Sequence, residues 1–198
     1  MAKYKNKYRI ESARLACWDY GKSGYYFVTI CTKNRTNILG RVHNDDVELS
    51  KIGAIIDRCW HDIPRHFPFV ELDEYILMPN HIHGIIVIDK PDENSDVSDR
   101  SDKFVETQNL ASLQPKNRFG PQSQNLASII RGFKAGVTKL SRPIYPSFAW
   151  QPRFHDHIVR NNADLERIRK YIRLNPSNWK NDEYFTDEKI KIVEKSAK

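Results

Sequence analysis

Four β-branched or alternating apolar runs, two amphipathic helical patterns threaded between them and one more helical pattern after the last run predict an α+β fold. The order strand, helix, strand, strand, helix, strand is that of a ferredoxin-like split βαβ sandwich, an antiparallel sheet with helices on one face. A C-terminal helix that carries a tyrosine follows it. The 198 residues suit one domain with a large core, running from a basic arm at 1–24 to a charged tail at 180–198.

Tyr25-Tyr-Phe-Val-Thr-Ile-Cys-Thr32 reads as the first buried strand. Residues 34–49 read as a small hairpin turning at Asn44-Asp-Asp46. Ser50 caps a helix with Ile52, Ile55, Ile56, Cys59, Trp60 and Ile63 on its core face, and Pro64 is expected to end it. Phe69 to Met78 and His81 to Ile88 are two strands joined tightly at Pro79-Asn80. From Asp89 to Gln124 the chain turns to Asp, Ser, Asn, Gln and Pro, an insertion too long and polar for an ordinary loop, and Gln108-Asn-Leu-Ala-Ser112 returns at 124–128. Leu126, Ile129, Ile130, Phe133, Val137 and Leu140 form the apolar stripe of the next helix, which Pro143 and Pro146 stop. Phe148 to Val159 is the last strand region, and Asn161 can cap a helix over Leu165 to Asn175 that Pro176 terminates.

A formal charge of +7 favours a polyanionic partner, because neutralising phosphates releases counterions. Charge alone does not choose between DNA and RNA, while a lipid surface is disfavoured by the lack of a basic amphipathic segment with exposed aromatics. No apolar run approaches the roughly 20 residues that span a bilayer, and the basic N-terminus has no apolar region after it. A cytoplasmic protein without a membrane partner is expected. The three cysteines, Cys17, Cys31 and Cys59, include no Cys-x-x-Cys pair, which argues for reduced thiols over a disulfide framework or zinc ribbon.

Two features carry chemistry. His81 and His83 share one face of a strand, with Ile82 on the other, so two imidazoles enter one space. They read either as a metal site or as ordinary buried histidines held by hydrogen bonds. A four-histidine zinc site with His155 and His157 would have no thiolate, and those two read as hydrogen-bonding or DNA-touching groups, with Asp156 a conceivable partner for His81 or His83. Tyr171 and Asn175, four apart, project side by side from the flank of the last helix, beside Arg167, Arg169, Lys170 and Arg173. They fit a nucleophile with a neighbouring amide, and equally a core-edge aromatic with a polar cap.

Five segments together resemble one family. They are Tyr-Phe-Val-Thr-Ile-Cys-Thr-Lys-Asn-Arg at 26–35, Met-Pro-Asn-His-Ile-His-Gly at 78–84, Asn-Leu-Ala-Ser-Ile-Ile-Arg-Gly-Phe-Lys at 125–134, Trp-Gln-Pro-Arg-Phe-His-Asp-His at 150–157 and Tyr-Ile-Arg-Leu-Asn-Pro at 171–176. In this order they resemble the HUH single-strand transposases, and more narrowly the REP-associated tyrosine transposases. The sequence departs from the family's pattern in the 89–124 insertion, at Arg173 and Leu174, and at Ser177-Asn-Trp179.

The resemblance implies a metal-dependent single-strand DNA endonuclease and strand transferase acting on hairpin, palindromic-repeat DNA. It makes Tyr171 the nucleophile that forms a 5′-phosphotyrosine, and His81, His83 and Asn175 the ligands of a divalent cation, Mg²⁺ or Mn²⁺. Arg131, Lys134, Arg153, Arg167, Lys170 and Arg173 are the candidate DNA contacts. The protein would act as a monomer or homodimer. A catalytically silent hairpin-binding protein of the same fold remains the alternative, and an RNA-binding module would need more exposed strand aromatics than Tyr25-Tyr26-Phe27.

Overall fold

The computed structural model describes residues 18–90 and 123–187. Most of the N-terminal arm and of the polar insertion therefore lies outside the described residues. Strand β1 (Gly24–Cys31) leads to the hairpin of β2 (Gly40–His43) and β3 (Asp46–Leu49) and the helix α1 (Lys51–His61). A short helix α2 (Ile63–His66) precedes β4 (Val70–Leu77) and β5 (His81–Ile88); α3 (Leu126–Ser141), β6 (His155–Val159), α4 (Asn162–Leu174) and a 3-10 turn (Trp179–Asn181) follow.

Local chemistry accounts for most boundaries. At the β2–β3 turn Asn44 and Asp45 adopt φ of 49° and 63°, the left-handed pair that a two-residue hairpin requires and that Asn and Asp tolerate. Ser50 Oγ accepts from the Gly53 amide at 3.0 Å, capping α1. Pro64 does not end α1. The helix stops at His61, and Pro64 sits in the first turn of α2, where its missing N–H costs nothing. Asn125 and Ser128 cap α3 reciprocally, and Asn161 caps α4. Of the last expected strand, only His155–Val159 is regular; Trp150 makes an isolated bridge to Thr32.

The main sheet has the order β4-β5-β1-β6, with every neighbouring pair antiparallel. Taken as the four core strands, this is the split βαβ arrangement, and it puts β5 inside the sheet. Tyr26, Val28 and Ile30 of β1 and Ile82, Ile86 and Ile88 of β5 point to one face, where they pack with Ile56 and Trp60 of α1 and Phe133 and Val137 of α3. Gly84 continues that face directly against the Trp60 ring.

Alternation sends His81, His83 and Ile85 to the opposite face. There Ile85 and Val159 meet Leu165, Ile168 and Ile172 of α4. Three aliphatic side chains buried at roughly 2 kcal/mol each outweigh the ion pairs on the outer side of α4, each worth at most about 1 kcal/mol. The apolar stripe therefore decides where α4 lies, and Tyr171 follows from it. A third cluster, of Cys31, Met78, Trp179 and Tyr184, closes the end of the sheet beyond α4. No helix among the described residues is long and apolar enough to cross a membrane.

Candidate active site

His81 and His83 are buried, with ring centroids 4.4 Å apart. Each is held through Nδ1. His81 Nδ1 lies 2.8 Å from Asn80 Oδ1. Asn80 Nδ2 donates to the carbonyls of Arg35 and Tyr184, so Oδ1 is the acceptor of that amide and His81 Nδ1 carries the proton. His81 Nε2 is then a bare lone pair, buried without a protein partner. His83 Nδ1 lies 2.9 Å from Thr29 Oγ1, the residue opposite it on β1. Burial pushes the His83 imidazolium down to about 3 and His81 well below the usual histidine range, with the neighbouring His83 and Arg35 adding to the latter. Both rings are neutral at pH 7, the form that binds a metal.

Tyr171 projects from α4 so that its hydroxyl lies 3.1 Å from His83 Nε2, and Phe27 meets its ring edge-on. It is 41% exposed, open to a substrate despite standing beside a buried pair. Burial, then the negative charges of Asp182 and Glu183, push its phenol up to about 12. The proton therefore stays on the oxygen at neutral pH.

The structure adds Asp182. One ligand atom from each of His81, His83 and Asp182 lies within 4.8 Å of the others. Residues after Trp179, read from sequence as a charged tail, fold back over the histidines at least as far as the described residues extend. Trp179 and Tyr184 are buried, and the Tyr184 ring lies 4.7 Å from that of His81. Asp182 is fixed twice: its Oδ2 accepts from Asn175 Nδ2 at 2.9 Å, and its Oδ1 from the Tyr184 amide at 2.7 Å. Asn175 is brought to the same place, its Oδ1 buried without a partner. The only sequence signal for Asp182 was the aromatic content of its surroundings, since Trp179, Tyr184 and Phe185 are poor residues for a solvated tail.

This donor set fits a divalent cation. Two neutral imidazoles, a carboxylate and an orphaned amide oxygen converge, and the lone pair on His81 Nε2 is left unsatisfied at a burial where that is costly. Asp156, in contrast, stands opposite Val28 in the β1–β6 register and so faces away from the histidines. His157 bonds Asp164 at 2.8 Å, as expected of a histidine outside the centre.

The basic candidates divide. Arg167 and Lys170 line a cleft of about 710 Å³ with Tyr171, Leu174, Asn175 and Asp182. Arg173 lies on the other flank of α4, paired with Glu74 at 3.1 Å, and does not line that cleft. Arg131 and Arg153 are exposed on the α3 side. The Lys134 ammonium is engaged by the carbonyls of Gln151 and Arg153 at 2.8 and 2.6 Å, and burial lowers it to about 8. It pins the 150s segment to α3, leaving at most one of its three donors for a phosphate.

No family model matches the chain. It is similar to an uncharacterised protein of Haemophilus influenzae, 36% identical over 180 residues that cover 89% of this chain and 93% of that protein. A second Haemophilus influenzae protein, named "Putative REP-associated tyrosine transposase", is 27% identical over 80% of this chain and 73% of its own length. Among solved structures, a REP-associated tyrosine transposase bound to a REP hairpin shares the fold, with a TM-score of 0.50 and 21% identity over 90% of this chain and 74% of that one. The chain thus has the fold of a REP-associated tyrosine transposase and is similar in sequence to a protein named as one.

Proposed function

We propose that the chain is a transposase-like enzyme that nicks and rejoins single-stranded DNA at hairpin-forming palindromic repeats. The observation that carries this reading is the placement of an accessible phenol, Tyr171, 3.1 Å from one imidazole of a buried His-His-Asp cluster. His81, His83 and Asp182 would hold a divalent cation, Mg²⁺ or Mn²⁺, with Asn175 Oδ1 as a further donor. When bound, the cation supplies charge neutralisation for the phosphate oxygens.

The chain's own residues do the rest. Arg167 and Lys170 draw the phosphodiester into the cleft beside Tyr171. The Tyr171 oxygen attacks phosphorus, its proton passing to a base or solvent; the P–O3′ bond breaks and the departing 3′ oxygen takes up a proton. A 5′-phosphotyrosine and a free 3′-OH result, at nearly equal bond energy, so a second 3′-OH can reverse the step and join a new strand. Phe27 and His83 hold the ring so that the oxygen faces the cluster, which reduces the orientational cost of attack. Peptide mapping after incubation with a hairpin oligonucleotide and Mn²⁺ tests this. A nucleotide adduct on the peptide containing Tyr171 is expected, and attachment at any other residue would overturn the assignment.

A further inference from the structure

Asn80 stands at the tight connection between β4 and β5, one residue before His81, and is wholly buried. Its backbone carbonyl accepts from the Thr32 amide at 2.9 Å and from the Thr32 hydroxyl at 3.0 Å. Its side-chain Nδ2 donates to the carbonyls of Arg35 at 3.1 Å and Tyr184 at 2.9 Å, with the Thr186 hydroxyl 3.4 Å away. A carbonyl only accepts, so turning the amide end for end would set its own oxygen against two acceptors in a buried place. Oδ1 is thereby held 2.8 Å from His81 Nδ1. Tyr184 and Thr186 belong to the same segment as Asp182, so the packing that delivers the carboxylate to the cluster also orients this amide.

A neutral imidazole carries one N–H, and in water it favours the proton on Nε2. At His81 that form would point a lone pair at Asn80 Oδ1 and turn an N–H into the cluster, where a cation needs a lone pair. The fixed amide reverses the preference, because the nitrogen that is hydrogen-bonded decides which one is free to bind a metal. His83 has no such constraint. Its Nδ1 meets the Thr29 hydroxyl and its Nε2 the Tyr171 hydroxyl, and either hydroxyl can donate or accept. We infer that Asn80 is a positioning residue: it fixes the His81 proton on Nδ1 and presents Nε2 as the standing donor of the cluster, while His83 is free to exchange tautomers. The inference deepens the metal-centre reading above and rests on it, but its test needs no catalysis.

Tautomers are read by two-bond proton–nitrogen NMR on full-length, metal-free protein with isotope-labelled histidine, the His81 signal being the one that His81→Gln removes. Wild type should show His81 protonated on Nδ1. Asn80→Leu removes the acceptor and the donors together, whereas Asn80→Asp keeps an oxygen for His81 and loses the N–H that meets the two carbonyls. Asn80→Leu should move His81 toward the Nε2–H form and weaken Mn²⁺ binding in calorimetry about ten- to a hundredfold. Asn80→Asp should melt below wild type, since two buried carbonyls lose their donor, yet keep the proton on Nδ1 and bind Mn²⁺ at most about threefold more weakly. Equal losses of affinity in the two variants would make Asn80 a packing residue and overturn the inference, as would wild-type Mn²⁺ affinity in Asn80→Leu. An Nε2–H His81 in wild type would also overturn it, and that measurement needs no variant to fold. Wild type that shows the Nδ1–H form but binds no divalent cation removes the metal-centre reading and with it the purpose given to Asn80, whereas wild type that binds Mn²⁺ with an Nε2–H His81 removes the role of Asn80 alone.

Discussion

The Tyr171 hydroxyl and Nε2 of His83 are hydrogen-bonded across 3.1 Å, and Nε2 is the nitrogen that a metal at the His-His-Asp cluster would take. A cation held there would displace this hydrogen bond and leave the phenol free for a phosphate. A neutral hydrogen bond contributes about 0.5–1.5 kcal/mol net. Tyr171→Phe should accordingly bind Mn²⁺ about two- to tenfold more tightly than wild type in calorimetry, while losing all DNA attachment. Unchanged or weaker affinity would show that the bond does not compete with the metal.

Asp182 gives a second prediction. Asp182→Asn removes the charge from the cluster and keeps an oxygen to accept from the Tyr184 N–H, while its new NH2 faces the Asn175 amide, which can turn so that its oxygen accepts. Metal affinity should fall at least about tenfold. Thermal stability should change by less than about 1 kcal/mol, because the buried aromatics Trp179 and Tyr184, more than the carboxylate, hold the segment in place. A large stability loss with intact metal binding would make Asp182 a purely structural residue.

The buried histidines set a pH dependence. In the metal-free protein His83 titrates near 3 and His81 well below 6.5, against 6.5 for an exposed histidine. Between those values the unfolded chain binds more protons, so their contribution to stability is complete above pH 6.5 and declines as pH falls toward the folded values. The slope is on the order of 1 kcal/mol per pH unit for each imidazole. Urea titrations from pH 7 to pH 4.5 should show it, and a His81→Gln, His83→Gln double variant should show a visibly flatter profile.

Gly84 tests the link between core and site. A Cβ there would lie 2.8 Å from Trp60 Cη2 and closer still to Cζ2. Trp60 is wholly buried, so Gly84→Ala overpacks the face behind the histidines and should cost about 1–3 kcal/mol, read by thermal unfolding. Full stability would mean that Trp60 has room to withdraw.

Residue periodicity made half of the site legible. His81 and His83 alternate with Ile82 and Tyr171 stands four residues before Asn175, so each pair shares a side of its element whatever the tertiary structure. The meeting of the two pairs was not legible from periodicity. The stripe of Leu165, Ile168 and Ile172 shows that α4 is buried on one side, but not that it covers the histidine face, and the family resemblance supplied that link. Asp182 was hidden because Lys180-Asn-Asp-Glu183 has the composition of a solvated tail. Its position depends on long-range bonds, including the Tyr184 carbonyl to Asn80 and the Thr186 carbonyl to Asn37. Lys134 shows the same limit, since its place on an amphipathic helix marks it as basic but does not reveal the carbonyls of Gln151 and Arg153 that it meets.

The central claim is that Tyr171 attacks a DNA phosphate in front of this cluster, and a denaturing gel measures it directly. Wild-type protein, a labelled hairpin oligonucleotide with an unpaired arm and Mn²⁺ or Mg²⁺ should give a covalent protein–DNA band that EDTA abolishes. Tyr171→Phe should give none while binding the same DNA undiminished. A band of wild-type intensity from Tyr171→Phe, or none from wild type with either metal, would contradict the account.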